Sequence, residues 1–424
     1  MKNILLFGAG KSSTCLIDYL INEIKLHDWS LTIADANLSL IQSKIGNAQN
    51  VFAAAMNISN ETDRKQLIKN AEIVISLLPP SLHFLIAQDC IQYRKNLLTA
   101  SYVDENIKQL EPQVIQNDLL FLCEMGLDPG IDHMSVMQLV NEIKKKEGRI
   151  VSFKSHTGGL VAPESDDNPW RYKISWNPRN VVNAGSSGAV YKESGKMKNV
   201  PYYDLFTHCD TIPIDTLGVL AYYPNRNSMP YIELYKINNP GTFVRTTLRY
   251  PEFCTGWSAV VAAGLTDDKK IIDPKGLTFK NWATPIVPYI NEDNKSQFIF
   301  LGLFDDNFVP ESATTSADVL QYVLETKLVM QARDKDMIVM LHELEYELHN
   351  TKHKIVSRLI VTGENNVHTA MAKTVGLPLG IAVKLILENK LILTGIHIPI
   401  LPEIYEPVLK ELTRHGVVFK ETTR

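Results

Sequence analysis

Cysteine is scarce and unpaired in this 424-residue chain: Cys15, Cys90, Cys123, Cys209 and Cys254 are odd in number, scattered and without a CxxC pair. That pattern excludes a disulfide framework or a cysteine zinc site and fits reduced thiols in a cytoplasm. Long apolar runs are also missing. No window approaches about 18 uninterrupted apolar residues, so no transmembrane helix is expected. The N-terminus offers one lysine and then a glycine turn, which is not the layout of a signal peptide. Nor is there an excess of charge: the net value of −4 gives no electrostatic case for nucleic acid or an anionic membrane. Repeats and low-complexity stretches are absent. What remains, 45% hydrophobic and 21% charged residues, is ordinary for a globular enzyme, and the length implies two or three domains.

The most informative stretch is the first. A short apolar run, Asn3 to Phe7, leads into Gly8-Ala9-Gly10-Lys11-Ser12-Ser13 and the amphipathic segment Leu16 to Ile24. The next apolar run, Leu31 to Ala34, ends at Asp35. A nucleotide pyrophosphate needs small residues where the backbone passes beneath it and a helix N-terminus aimed at its charge. An acid at the end of the second strand, roughly 20 residues or more beyond the turn, can accept both ribose hydroxyls. Gly8, Gly10, Lys11, Ser12, Ser13 and Asp35 are therefore the candidate coenzyme residues, with Ser13 where a third glycine is usual. Leu78 and Pro79 join them, because the run Ile73 to Leu78 ends in Pro79-Pro80 at a strand terminus of the kind that lies over a dinucleotide.

Up to about residue 125 the chain alternates strands and helices at βαβ spacing. Strands are expected at Ile4–Phe7, Leu31–Ala34, Asn50–Ala53, Ile73–Leu78, Asn96–Thr99 and Leu119–Cys123, which implies a parallel sheet covered on both faces. Asp128-Pro129-Gly130 reads as a helix start, with Asp128 as N-cap and Pro129 at the first helical position. From Ile150 the pattern changes to strand-like pieces (Ile150–His156, Val244–Tyr250, Met337–Leu348) between long polar segments, which reads as a mixed or antiparallel sheet with functional loops. Residues 252 to 330 look more helical (Trp257–Ala263, Ala317–Lys327), and helical pieces are expected at Thr369–Val375, Ile381–Glu388 and Ile404–Thr413. The expected division is a dinucleotide domain over 1–127, onto which the tail 395–424 packs back, and a substrate domain over 128–394 with a helical subdomain at 252–330.

Two segments are too polar to be mere connectors. Cys123 to His133 follows the last strand of the first sheet, at its carboxyl edge. Within it Asp128 has a position fixed by capping, and His133 reads as a helix-surface or domain-contact residue. Ser155 to Arg179 holds a Gly-Gly pair that permits close approach, with His156 at a strand end where it could titrate near neutral pH. Arg245, Thr247 and Arg249 alternate along one strand and so share a face, where two guanidinium forks would make a carboxylate platform; the alternative is a solvated face with surface salt bridges. His342-Glu343 begins like HExxH, but Tyr346 stands where the second histidine belongs and the alternation is that of a strand. No metal site is expected.

The stretches SYVDENIKQL, EMGLDPGIDH, GGLVAPESDDNPWRYKISWNPR, YYPNRNS, FVRTTLRY, DKDMIVM and TAMAKTVGLPLGIAVKLIL strongly resemble the L-glutamate-forming saccharopine dehydrogenases, also called saccharopine reductases, over nearly the whole chain. The resemblance implies an α/β protein with a variant Rossmann domain, an α+β substrate domain with a mixed sheet, and a helical insert. It implies interconversion of saccharopine with glutamate plus 2-aminoadipate 6-semialdehyde: hydride leaves the carbon beside the secondary amine, and water hydrolyses the imine. Ser101 and Asp128 would contact substrate near the nicotinamide, and Ser175, Arg226, Arg245 and Thr247 would serve its carboxylates. Asp128 is the first choice for orienting or deprotonating the amine, and Tyr102 a weaker one. His156 stands where fungal enzymes have a cysteine, which puts an acid–base role there in doubt while making a proton shuttle chemically easier.

Fungal relatives that use NADP resemble a pattern with arginine just beyond the second strand. Here Asp35-Ala36-Asn37 stands instead, and an aspartate repels a 2′-phosphate, so NAD is the expected coenzyme and NADP the other form, with Lys11 as partial compensation. The expected partner is a small amino acid with several carboxylates, without nucleic acid or membrane, in a cytoplasmic chain for which a homodimer is one assembly. Two other readings stay open: an imine reductase like carboxynorspermidine dehydrogenase, whose substrate has one carboxylate, and a non-catalytic dinucleotide sensor.

Overall fold

A computed structural model describes residues 1–423 of the chain. Contacts divide it into two compact units, one of residues 1–142 with 370–418 and another of 143–369 with the last residues.

The first unit is built on a seven-stranded sheet that is parallel throughout. Its strands are β1 (Lys2–Phe7), β2 (Trp29–Asp35), β3 (Val51–Ala55), β4 (Ile73–Ser76), β5 (Asn96–Thr99) and β6 (Leu120–Leu122). They run in the order β3-β2-β1-β4-β5-β6, with Gly395–His397 beside β6. All six expected strands are present. The order reverses between β1 and β4, the topological switch point at which such sheets bind ligands outside their carboxyl ends. Ile4, Leu5, Leu6 and Phe7 are all buried, as a strand covered on both faces requires.

Two features of this unit depart from the sequence reading. Ala370–Leu387 is one continuous helix through Pro378 that takes in both expected helical stretches. It is long and apolar enough to cross a membrane by composition, yet 78% of it is buried, with Gly376 against Leu16 and Gly380 against Tyr19 of the first helix, Thr14–Ile24. Glycine lets the two helices approach closely, and that contact ties this helix to the first unit instead of to residues 128–394. The helix Ile131–Lys145 likewise belongs largely to the first unit, as does the tail helix Pro402–Arg414.

The second unit is a ten-stranded mixed sheet. Its strands are β7 (Arg149–Val161), β8 (Ala189–Glu193), β9 (Lys196–Val200), β10 (Asp210–Ile214), β11 (Gly218–Pro224), β12 (Arg226–Asn227), β13 (Thr242–Arg249), β14 (Asp336–Leu348) and β15 (Thr351–Thr362), with Lys420–Thr423 on the edge. β13 and β7 pair in parallel; β7–β14, β14–β15 and β11–β13 are antiparallel. The register decides which side chains share a face. Arg245 aligns with Ser155 and Thr247 with Thr157, while His156 aligns with Thr246 and Leu341. One face carries Ala221 and Tyr223 into an aromatic core with Trp170, Phe253, Trp257 and Phe298. The other buries Leu160, Leu220, Leu248, Val339 and Leu341.

Candidate active site

The glycine turn forms as the sequence demands. Gly8 has φ +100°, and a Cβ there would lie 2.9 Å from the Leu77 carbonyl oxygen, so no other residue fits without strain. At Gly10 a Cβ would meet nothing, and the space above the turn is open. Lys11 is exposed, Ser12 half-buried and Ser13 buried, its hydroxyl donating to the Gly10 carbonyl at 2.9 Å. No side chain caps the N-terminus of Thr14–Ile24, so its first amides stay oriented for an anion. Asp35, at the end of β2, accepts from the Ala9 N–H at 2.8 Å and from the Asn37 N–H at 2.9 Å. Lys44, which the sequence reading passed over, donates to the Gly10 carbonyl and to the Ser13 and Thr14 hydroxyls. Burial holds its ammonium down at about 8. Leu78 is half-buried beyond β4, and Pro79 is exposed as it opens the turn Pro80–Leu82.

At the carboxyl ends of β4 and β5 the buried His83 links three hydroxyls. Its Nδ1 lies 2.9 Å from Ser76 Oγ, and its Nε2 lies 2.7 Å from Ser101 Oγ and 3.2 Å from Thr99 Oγ1. Desolvation pushes this imidazole down to about 4, so it is neutral at ordinary pH. The sequence reading missed it; the signal was a histidine a few residues past a strand that ends in serine. Next to Ser101, the Tyr102 hydroxyl donates to Asp128 Oδ1 at 3.0 Å.

The segment 123–133 corrects two expectations. Asp128 does not cap a helix: the helix begins at Ile131, and Asp132 Oδ1 accepts from the Gly130 N–H at 2.6 Å. Gly130 has φ +146°, and a Cβ there would sit 2.1 Å from the Gly126 carbonyl oxygen. This closed loop keeps Asp128 out of the helix and turned to Tyr102. His133 is not on a surface. It is fully buried, with Nε2 2.8 Å from Glu124 Oε2 and Nδ1 3.6 Å from Asp132 Oδ2.

In the second unit the three alternating residues of β13 do share a face, and both arginines are buried rather than solvated. Arg245 lies over the Tyr231 ring, 4.3 Å from its centroid. Arg249 lies over Tyr172 and Phe253, donates to the Leu248 carbonyl at 2.8 Å and leaves its Nε unpaired. Arg226 is exposed with φ +55° in the short β12, and its neighbour Asn225 donates its N–H to the Arg245 carbonyl at 2.8 Å, which brings the two arginine segments together. Thr247 is half-buried, facing Tyr223, and Ser175 is buried one residue beyond the bridge Ile174–Val329.

The register also decides where His156 points. It sits on the opposite face from Arg245 and Thr247, fully buried, with Nδ1 2.7 Å from Thr246 Oγ1 and Nε2 3.6 Å from Glu343 Oε2. Burial lowers its pKa, while the imidazole and Lys354 hold Glu343 down at about 2. It is therefore buried on the face away from Arg245 and Thr247. His342 lies on a strand, as expected, with Nδ1 3.0 Å from Ser155 Oγ.

Residues 4–121 match the family model described as "Saccharopine dehydrogenase NADP binding domain", and 126–417 match "Saccharopine dehydrogenase C-terminal domain". The chain is 30% identical to saccharopine dehydrogenase [NADP(+), L-glutamate-forming] of Saccharomyces cerevisiae, over 100% of this chain and 99% of that protein. It is 32% identical to the mitochondrial alpha-aminoadipic semialdehyde synthase of Bos taurus and 30% identical to the Arabidopsis thaliana synthase. It spans about half the length of those synthases, 47% and 45%. The solved apo structure of the Saccharomyces cerevisiae saccharopine dehydrogenase (L-Glu forming) superposes with a TM-score of 0.89 at 30% identity, each chain covered in full. The chain belongs to the saccharopine dehydrogenase family.

Proposed function

We propose that this chain is a nicotinamide-dependent oxidoreductase that interconverts saccharopine with L-glutamate and 2-aminoadipate 6-semialdehyde. The observation that carries the reading is its full-length likeness to the yeast enzyme of that name. The local chemistry supports it. Gly8, Gly10, the N-terminus of Thr14–Ile24, which no side chain caps, and Asp35 fit a dinucleotide: the turn leaves space above Gly10, and the Asp35 carboxylate is fixed by two backbone amides. The coenzyme would supply the hydride acceptor.

The chain's own residues would do the rest. Asp128, fixed by the Tyr102 hydroxyl, orients the secondary amine of the substrate and takes its proton. Ser101 contacts the substrate beside it. Ser175, Arg226, Arg245 and Thr247 hold carboxylates, the arginines through their planar forks. Two buried arginines on one face suit a substrate with three carboxylates better than the single carboxylate of a carboxynorspermidine-like imine.

The coenzyme form is drawn two ways. The matched domain and the yeast relative are both named for NADP. Asp35 opposes a 2′-phosphate, and all three Lys44 contacts go to the chain's own oxygens. We take the residue in this chain as the stronger guide and propose a preference for NAD. Incubation with saccharopine and each coenzyme, followed by mass spectrometry, tests the reaction: glutamate should appear in step with reduced coenzyme. Oxidation of saccharopine without glutamate release would overturn it.

A further inference from the structure

We infer that His83 is a positioning residue that fixes Ser101 as a hydrogen-bond donor toward the substrate, an inference that rests on the proposed function. The argument is one of proton bookkeeping across four buried or half-buried groups. Ser76 is fully buried at the end of β4, and His83 Nδ1, 2.9 Å away, is the one side-chain partner of its hydroxyl among the described residues. A buried O–H needs an acceptor. Ser76 therefore donates to Nδ1, and the proton of the neutral imidazole sits on Nε2.

That N–H faces two oxygens, Ser101 Oγ at 2.7 Å and Thr99 Oγ1 at 3.2 Å. The Thr99 hydroxyl is buried too and competes to donate to Nε2, but across 3.2 Å against the 2.9 Å from Ser76 to Nδ1; the shorter contact sets the tautomer. Thr99 Oγ1 also accepts from the Ser101 backbone N–H at 3.2 Å, so Ser101 Oγ at 2.7 Å is the principal acceptor of Nε2–H. With a lone pair of Ser101 occupied by His83, its own O–H is left to donate outward. The Ser101 backbone is held too, because its carbonyl accepts from the Glu124 N–H at 3.1 Å. A donor in this position suits a carboxylate or hydroxyl oxygen of the substrate, not its protonated amine. Burial keeps the imidazole neutral, so the direction of the chain does not reverse at ordinary pH.

Two measurements on the full chain test this. Histidine-selective 15N NMR of the protein without substrate, with His83→Gln identifying the signal, should show Nε2 protonated and Nδ1 bare; the opposite tautomer overturns the donor assignment. In kinetics, His83→Ala and Ser101→Ala should each raise KM for saccharopine about tenfold, one hydrogen bond's worth. The affinity for coenzyme should stay unchanged. The double variant should be no worse than Ser101→Ala alone, because the two residues act as one unit. His83→Gln, whose amide N–H can replace Nε2–H, should recover most of the loss. Additive losses, or no recovery with glutamine, overturn the coupling. If the unmodified chain does not turn over saccharopine, the functional reading fails, and the NMR result still decides the tautomer.

Discussion

Tyr102 donates its hydroxyl to the Asp128 carboxylate across 3.0 Å, one residue from Ser101 and at the carboxyl edge of the parallel sheet. This bond orients the acid. Asp128→Asn should lower kcat/KM for saccharopine by about a hundredfold or more, the range of a positioned acid–base group. Tyr102→Phe should lower it by roughly tenfold, since the carboxylate stays but its orientation loosens. Steady-state kinetics with coenzyme binding measured in parallel checks both; weakened coenzyme binding in Asp128→Asn would place this residue elsewhere in the site.

Gly8 and Gly10 make a contrast within one turn. Gly8→Ala meets the Leu77 carbonyl and a left-handed backbone, so it should destabilise the fold by about 1–3 kcal/mol. Gly10→Ala adds its Cβ to open space, so its melting temperature should stay near that of the parent while its coenzyme affinity falls at least tenfold. Thermal unfolding and coenzyme titration on the two variants separate the effects.

The two faces of the second sheet give an equally sharp pair. Arg245→Gln should raise KM for saccharopine by roughly tenfold or more, as expected for loss of a bidentate carboxylate contact. His156→Asn, on the opposite face, should leave kcat within about twofold and lower stability by about 1–2 kcal/mol through the lost Thr246 bond. A collapse of kcat in a folded His156→Asn protein would restore it to the chemistry.

Acid stability should report on His83. An unfolded histidine takes its proton near pH 6.5, whereas the folded one resists until about pH 4. The unfolded state therefore binds more protons in between, and stability falls as pH drops from about 6.5 to 4, by a few kcal/mol at most. Urea unfolding at several pH values should show that slope, and His83→Gln should flatten it.

These contrasts also mark what the sequence could and could not reveal. The first six strands and the turn were legible because fully buried parallel strands appear as short apolar runs, and because the turn's glycines and Asp35 have few other uses. The hairpin of β8 and β9 escaped notice because strands such as Lys196–Val200 are polar and exposed, with no apolar face to set a period of two. Asp128 resembled an N-cap because Asp-Pro is a common helix opening; only the Gly126–Gly130 closure moves the start to Ile131. Sharing of a face along β13 followed from alternation within one strand. The side on which His156 falls depended on register with β13 and β14, which no local pattern encodes. His83 was hidden for the same reason, since its partners Ser76, Thr99 and Ser101 come together only when β4 and β5 pair.

The most direct test of the proposed activity is the near-ultraviolet absorbance of reduced nicotinamide, followed with saccharopine and with either NAD or NADP. Growth of signal with saccharopine, faster with NAD, is the expected result. Signal with NADP alone would keep the reaction and overturn the role given to Asp35. Silence with both coenzymes, beside turnover of carboxynorspermidine, would contradict the saccharopine assignment itself.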